Sequence, residues 1–167
     1  MAFKEFREFL DCLEEQDLLR RVKKSVDWNL EIGAVMHEVH QKQGPAVLFE
    51  NVKGADYPLL CGAMGTVERY CMAMGVPADQ RALQKYVMNA YQQPLAPEVV
   101  EKAPCQQNVL TGDEIDLSRF PTPFWHPLDG GRFIGTLGVV ITEDPETGLR
   151  NAAIYREQVL EKDTSCR

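Results

Sequence analysis

Residues 129–162 read DGGRFIGTLGVVITEDPETGLRNAAIYREQVLEK, and the fold is decided by how this stretch is punctuated. Arg132 to Thr142 is rich in Ile, Val, Leu and Thr with no helical spacing of its apolar positions. That composition favours a strand, and Gly135 and Gly138 mark a twist or a close backbone approach within it. Pro145 presets φ for a turn over Asp144 to Gly148, and Gly148 suits the left-handed position of a bulged hairpin loop. Asn151 to Leu160 then returns as the second strand.

The returning strand carries the polar residues with chemical promise. Ala152 and Ala153 leave room for a group to lie against the backbone. Asn151 offers a neutral carbonyl oxygen suited to a hard cation such as Mn²⁺ or Mg²⁺. Arg156 offers a permanent charge and a rigid fork of donors that matches a carboxylate or phosphate. Composition by itself favours a strand-end Asn beside a turn and a solvated surface Arg. Asn151 and Arg156 are five apart, so a regular strand would turn them to opposite faces. A bulge, a strongly bent strand or the use of backbone groups would each reconcile them.

Working outward, 167 residues suit one ordinary domain or two small ones. A hydrophobic content of 44% with 26% charged residues is that of a soluble globular protein. The net charge of −7 argues against nucleic acid or an anionic membrane as the main partner. No apolar run reaches the roughly 18 residues of a membrane helix, and MAFKEFREF is too charged for a signal peptide. Cysteines 12, 61, 71, 105 and 166 are scattered without metal-ligand spacing, as expected of reduced thiols in a cytoplasmic protein.

Phe3, Phe6, Phe9, Leu10 and Leu13 share one helical face and predict an opening helix to about Gln16. A strand over Leu18–Lys24 follows. A second helix carries Ile32, Val35, Met36 and Val39, with Asn29 as its N-cap and Glu31 in its first turn. Gly44-Pro45 precedes a strand over Ala46–Val52, and Lys53-Gly54 turns it towards another over Tyr57–Met64. Thr66 caps a short helix through Met74, closed by Gly75. A longer helix spans about Ala78–Tyr91, with Leu83, Tyr86, Val87 and Ala90 facing inward. Pro94, Pro97 and Pro104 exclude one long regular element. The expected organisation is therefore α+β: residues 1–92, a linker over 93–107, then 108–167, with Pro121–Pro127 an irregular loop. His37-Glu-Val-His40 lacks the HExxH spacing of a zinc site, the glycines form no GxGxxG fingerprint, and neither Cys105 nor Cys166 has a placed base.

DGGRFIGT, VVITEDPETGLRN, the IYR triplet and QVLEKDT together resemble the UbiD-type decarboxylases that use prenylated flavin mononucleotide. Val26-Asp27, Leu30-Glu31-Ile32, GPAVLFENVKG over 44–54 and Gly65-Thr66 are similar to the same family at matching spacing. The resemblance runs from about residue 6 to residue 163. It implies an amino-terminal α/β domain followed by the opening strands of a split-barrel flavin-binding domain. It implies reversible, non-oxidative decarboxylation of aromatic or α,β-unsaturated carboxylic acids, with the flavin supplying the hard chemistry. Asn151 matches the family's ligand to the divalent metal, Mn²⁺ as the expected ion, that pins the cofactor phosphate. Ile154, Tyr155 and Arg156 match the triplet lying along the cofactor. Arg156 further matches the catalytic arginine that orients a substrate carboxylate and holds a glutamate ionised.

The family's remaining metal ligands, its acidic proton donor and the second half of its cofactor site fall beyond residue 167. Thr164–Arg167 also departs from the family pattern, which continues there as an apolar strand. The expectation is a chain cut off in mid-barrel, inactive alone, that acts as a homo-oligomer or with a missing carboxy-terminal part. The alternative is a short non-catalytic assembly or partner subunit of the same family.

Overall fold

The computed structural model describes residues 3–96 and 98–166; Pro97, expected in the linker, lies outside them. The chain forms two compact units that interleave in sequence. One comprises residues 1–22, 38–48 and 60–111, the other 23–37, 49–59 and 112–167.

The first unit is built on helix α1 (Phe6–Glu15), which buries Phe9 and Leu13. Leu19 and Ala46 complete this small core, with Phe3, Leu10, Leu60 and Met72 packed around it. Strand β1 (Leu19–Val22), strand β2 (Ala46–Phe49) and strand β3 (Leu59–Cys61) form a sheet in the order β1-β2-β3. The third strand is shorter than Tyr57–Met64 because Gly62 takes a positive φ of 68° and the chain turns into the next helix. Helix α2 (Glu31–Gln41) contributes residues to both units.

Helix α3 (Val67–Met74) is closed at both ends as its sequence predicts. The Thr66 hydroxyl accepts from the Arg69 N–H, and Gly75 is left-handed at φ 67°. Arg69 is 2% exposed and donates to the carbonyls of Gly44 (3.0 Å) and Gly62 (3.1 Å). Helix α4 (Gln80–Gln92) starts on an Asp79 cap but buries none of its residues. Leu83, Tyr86, Val87 and Ala90 do not face a core as expected, and Tyr86 and Val87 are exposed. Helical periodicity identifies an apolar face and says nothing of what covers it.

In the second unit Val26 bridges Val52, and Asn29 bridges Phe124. Asn29 is not the N-cap of α2. Leu30 stands between it and the helix at a positive φ of 63°, and the entry is instead closed by Asp27 and Glu31. Asp27 accepts from the Asn29 N–H (2.8 Å), and Glu31 accepts from the Asp27 N–H (2.6 Å). The Pro121–Pro127 segment is irregular, yet Pro121, Thr122 and Pro123 are buried.

The long hairpin exists, but each arm is broken once. The first arm divides into β4 (Phe133–Gly135) and β5 (Val139–Glu143), the second into β6 (Arg150–Ile154) and β7 (Glu157–Val159). β5 and β6 pair in register from Val139↔Ile154 to Glu143↔Arg150. β7 lies between β4 and the two-residue β8 (Ser165–Cys166). The turn is the one expected: Asp144 accepts from the N–H groups of Glu146 and Thr147, and Gly148 adopts φ 68°. Those donated hydrogen bonds hold the Asp144 carboxyl below its ordinary range.

Candidate functional site

Arg156 sits at the break between β6 and β7, where register also shifts between Phe133 and Gly135. The two-residue alternation of a strand therefore does not carry through from Asn151 to Arg156. The Arg156 guanidinium lies 3.7 Å from the centroid of the Phe133 ring, a cation–π contact. Its two terminal nitrogens donate to the two carboxylate oxygens of Asp129, at 3.1 and 3.0 Å. Asp129 is in turn fixed by its own turn. Its N–H donates to the His126 carbonyl (3.0 Å), and its carboxylate accepts from the His126 N–H (3.3 Å). The hydrogen bonds from Arg156 hold the Asp129 carboxyl below its ordinary range, which keeps it a carboxylate at neutral pH.

A cleft of about 320 Å³ is lined by Trp125, His126, Thr136 and Arg156. The Trp125 indole N–H is buried without a hydrogen-bond partner among the described residues. This cleft thus joins a cation, an imidazole, a hydroxyl and an aromatic surface, the equipment for a small aromatic anion. A second arginine is structural. Arg132 stacks on Trp28 at 4.3 Å and donates to the buried Thr122 carbonyl at 2.7 Å, and burial lowers its pKa from the ordinary value.

The other sequence-predicted residues lie on β6 and just after it. Asn151 stands opposite Thr142 and is exposed. Ile154 stands opposite Val139, three residues on, and so on the other face of the same strand. Tyr155 follows at the break, 42% exposed. Any single group touching both Asn151 and Ile154 has to reach around the end of β6. Exposed Ile154 and Tyr155 beside the low relief of Ala152 and Ala153 fit the edge of a planar ring system. For a metal the described residues provide less. Asn151 is one neutral oxygen, and no three His, Cys, Asp or Glu gather among the described residues to hold an ion. A hard divalent cation takes six or more oxygens, so Asn151 fits as a single member of a larger shell.

Asp129, His126, Trp125 and Phe133 were missed as site residues in the sequence. The Asp-Gly-Gly-Arg run was visible, but nothing local tied its aspartate to an arginine on the far arm of the hairpin.

Comparison with known proteins converges on one group. The profile of the 3-octaprenyl-4-hydroxybenzoate carboxy-lyase N-terminal domain matches residues 10–85, and that of the Rift-related domain of the same carboxy-lyase matches residues 98–167. The chain is 33% identical to the pyrrole-2-carboxylic acid decarboxylase of Pseudomonas aeruginosa, over 96% of this chain and 35% of that protein. An evolved dimeric form of the UbiD-class enzyme HmfF from Pelotomaculum thermopropionicum, solved with prFMN, superposes with a TM-score of 0.83. It shares 33% identity over 94% of this chain and 36% of that one. The closed form of vanillic acid decarboxylase from Sedimentibacter hydroxybenzoicus gives 0.86 at 30% identity, over 98% of this chain and 36% of that one. The chain therefore spans little more than a third of the length of these relatives.

Proposed function

Because the chain belongs to the 3-octaprenyl-4-hydroxybenzoate carboxy-lyase (UbiD) family, we propose that it supplies the amino-terminal share of a decarboxylase. The substrates are aromatic or α,β-unsaturated carboxylic acids. The relatives named for decarboxylating pyrrole-2-carboxylate and vanillate support the reaction class, and the relative solved with prFMN supports a prenylated flavin. The observation that carries the reading is Arg156, a fixed, half-exposed guanidinium in the wall of an aromatic-lined cleft.

In this reading residues 1–92 form the amino-terminal α/β domain, 93–107 the linker, and 108–167 the opening strands of a split barrel. Ile154 and Tyr155 lie along the flavin. Asn151 gives one oxygen to a divalent metal, Mn²⁺ by expectation, at the cofactor phosphate. The flavin, when bound, supplies an electron sink for the bond that breaks. Arg156 orients the substrate carboxylate and keeps a neighbouring glutamate of the assembled site ionised. The 167 residues alone do not turn over substrate, because one neutral metal ligand and one arginine do not complete such a site. The reaction is placed in the cytoplasm, consistent with five cysteines that are all free. The active species is a homo-oligomer or a pairing with the remaining two-thirds of the relatives' length.

A second reading, a non-catalytic assembly subunit, is favoured by one feature: β5 and β6 form a sheet of their own and expose Val139, Ile141 and Ile154. A chimera separates the two. These residues replace the matching third of the Pseudomonas decarboxylase, and flavin content and CO₂ release are measured. Flavin-dependent turnover supports the enzyme; a folded, flavin-loaded chimera without turnover overturns it in favour of the assembly subunit.

A further inference from the structure

The bidentate contact of Arg156 with Asp129 uses only two of the five guanidinium N–H groups. The two engaged nitrogens are the terminal pair, so the fork at the end of the side chain is filled. Of the three that remain, the Nε–H and the terminal N–H beside it form a second parallel pair of donors along the side of the guanidinium. The Arg156 side chain makes no hydrogen bond other than those to Asp129 among the described residues. Two constraints then act on the guanidinium and a third on its partner. The carboxylate takes the end fork, the Phe133 ring takes one face at 3.7 Å, and the His126–Asp129 turn holds the carboxylate itself in place. The Asp129 side chain is 11% exposed while that of Arg156 is 45% exposed. The less exposed partner is thus the anchor and the more exposed one the group presented.

We propose that Asp129 is the positioning residue of this site: it occupies the end fork of Arg156 so that the side fork is offered to the carboxylate of an aromatic acid in the cleft of Trp125, His126 and Thr136. This rests on the reading of Arg156 as a carboxylate-binding arginine and adds the residue that aims it. The pair is neutral overall, which weakens the pull on a second anion. An incoming carboxylate on the side fork is nevertheless closer to the guanidinium than to Asp129, so attraction prevails. Because the net charge is cancelled, the aromatic part of the ligand has to contribute, and Trp125 provides the surface. A locked guanidinium also loses less side-chain entropy on binding than a free one. The opposite possibility, that Asp129 competes with the ligand for Arg156, makes the reverse prediction about its removal.

The test uses the 167-residue chain with benzoate as probe, followed by NMR shifts of the Arg156 Nε–H and the Trp125 indole N–H. Thermal unfolding of each variant runs alongside. Benzoate is expected to bind in about the millimolar range and to move both signals. Asp129→Asn keeps the shape but removes the charge, and should weaken benzoate about tenfold. Asp129→Glu should restore part of that loss, while Arg156→Lys, which has no Nε–H, should abolish the Trp125 shift. Unchanged or tighter binding by Asp129→Asn, with Arg156→Lys still weak, overturns the positioning role and leaves the arginine reading standing. Equal binding by Arg156→Lys, or no benzoate-dependent shift in the unaltered chain, overturns both. If Asp129→Asn lowers thermal stability, the Arg156 Nε–H exchange rate decides on the folded population: faster exchange supports the lock, and an unchanged rate overturns it.

Discussion

A Cβ placed on Gly33 would stand 2.3 Å from the backbone carbonyl oxygen of Trp125. The entry to helix α2 and the loop that carries Trp125 and His126 are joined here by backbone hydrogen bonds. The Leu30 N–H donates to the Phe124 carbonyl (3.1 Å), and the Phe124 N–H donates to the Trp28 carbonyl (3.0 Å). Alanine would be the better helix former by about 1 kcal/mol, but the oxygen it meets belongs to main chain and cannot rotate away. Gly33→Ala is therefore expected to destabilise by about 1–3 kcal/mol, the range for overpacking. Thermal unfolding checks this, and a melting temperature at or above that of the unaltered chain would refute the close approach.

Arg69 predicts a second stability effect. Its guanidinium is buried and satisfies two backbone carbonyls, those of Gly44 and Gly62. Arg69→Ala takes the guanidinium donor from the Gly44 carbonyl, leaves the Gly62 carbonyl with the Gly65 N–H alone (3.0 Å), and opens a void, for an expected loss of about 3–5 kcal/mol. Arg69→Lys places one ammonium where a fork served two carbonyls and should fall between. Urea unfolding of the three proteins gives the order. A lysine variant as stable as the arginine protein would show that the fork is unimportant.

These two sites show what sequence made legible and what it concealed. The caps of α3 were readable because Thr66 and Gly75 act within one turn of the chain. The Asp144–Gly148 turn was readable for the same reason. Gly33 was silent, since a helical glycine gives no sign of the carbonyl that approaches from residue 125. The unpacked face of α4 was misjudged because periodicity carries no information about a partner. For the candidate site, Arg156 stood out by residue type and by resemblance. Its partner lies 27 residues upstream, on the other side of a broken register that no local rule predicts. The break itself was foreshadowed only as a conflict, the odd spacing of Asn151 and Arg156.

Cys61 should make stability fall at high pH. Burial pushes its thiol up to about 12, whereas an unfolded cysteine titrates near pH ~8.5. Below that lower value both states hold the proton and the thiol's contribution is fully present. Above it the unfolded state loses a proton that the folded state keeps, so stability declines, approaching about 1.4 kcal/mol per pH unit from this group. The decline continues until pH nears the folded value. Comparing denaturation midpoints from pH 7 to 10 for the unaltered chain and Cys61→Ala isolates the effect, because other titrating groups cancel. Parallel curves would contradict it. Thiol reagents should meanwhile modify exposed Cys105 and Cys166 well before buried Cys61 and Cys71.

The last prediction separates holding a cofactor from handling a substrate, using the chimera with the Pseudomonas decarboxylase. Asn151 is exposed on β6 and, in its proposed role as one oxygen of a metal shell, would act before chemistry begins. Asn151→Ala should therefore lower bound metal and bound flavin first, and turnover only in proportion to the flavin lost. Arg156→Lys keeps the charge but not the planar fork. Its interactions with a carboxylate count mainly in the transition state, so turnover per bound flavin should fall about 10²-fold, equivalent to ~3 kcal/mol. Flavin absorbance, metal content and CO₂ release measured side by side distinguish the two patterns. Full turnover by Arg156→Lys at normal flavin content would return Arg156 to the role of a surface arginine held by Asp129. Full metal and flavin content in Asn151→Ala would remove Asn151 from the metal shell while leaving Arg156 untouched.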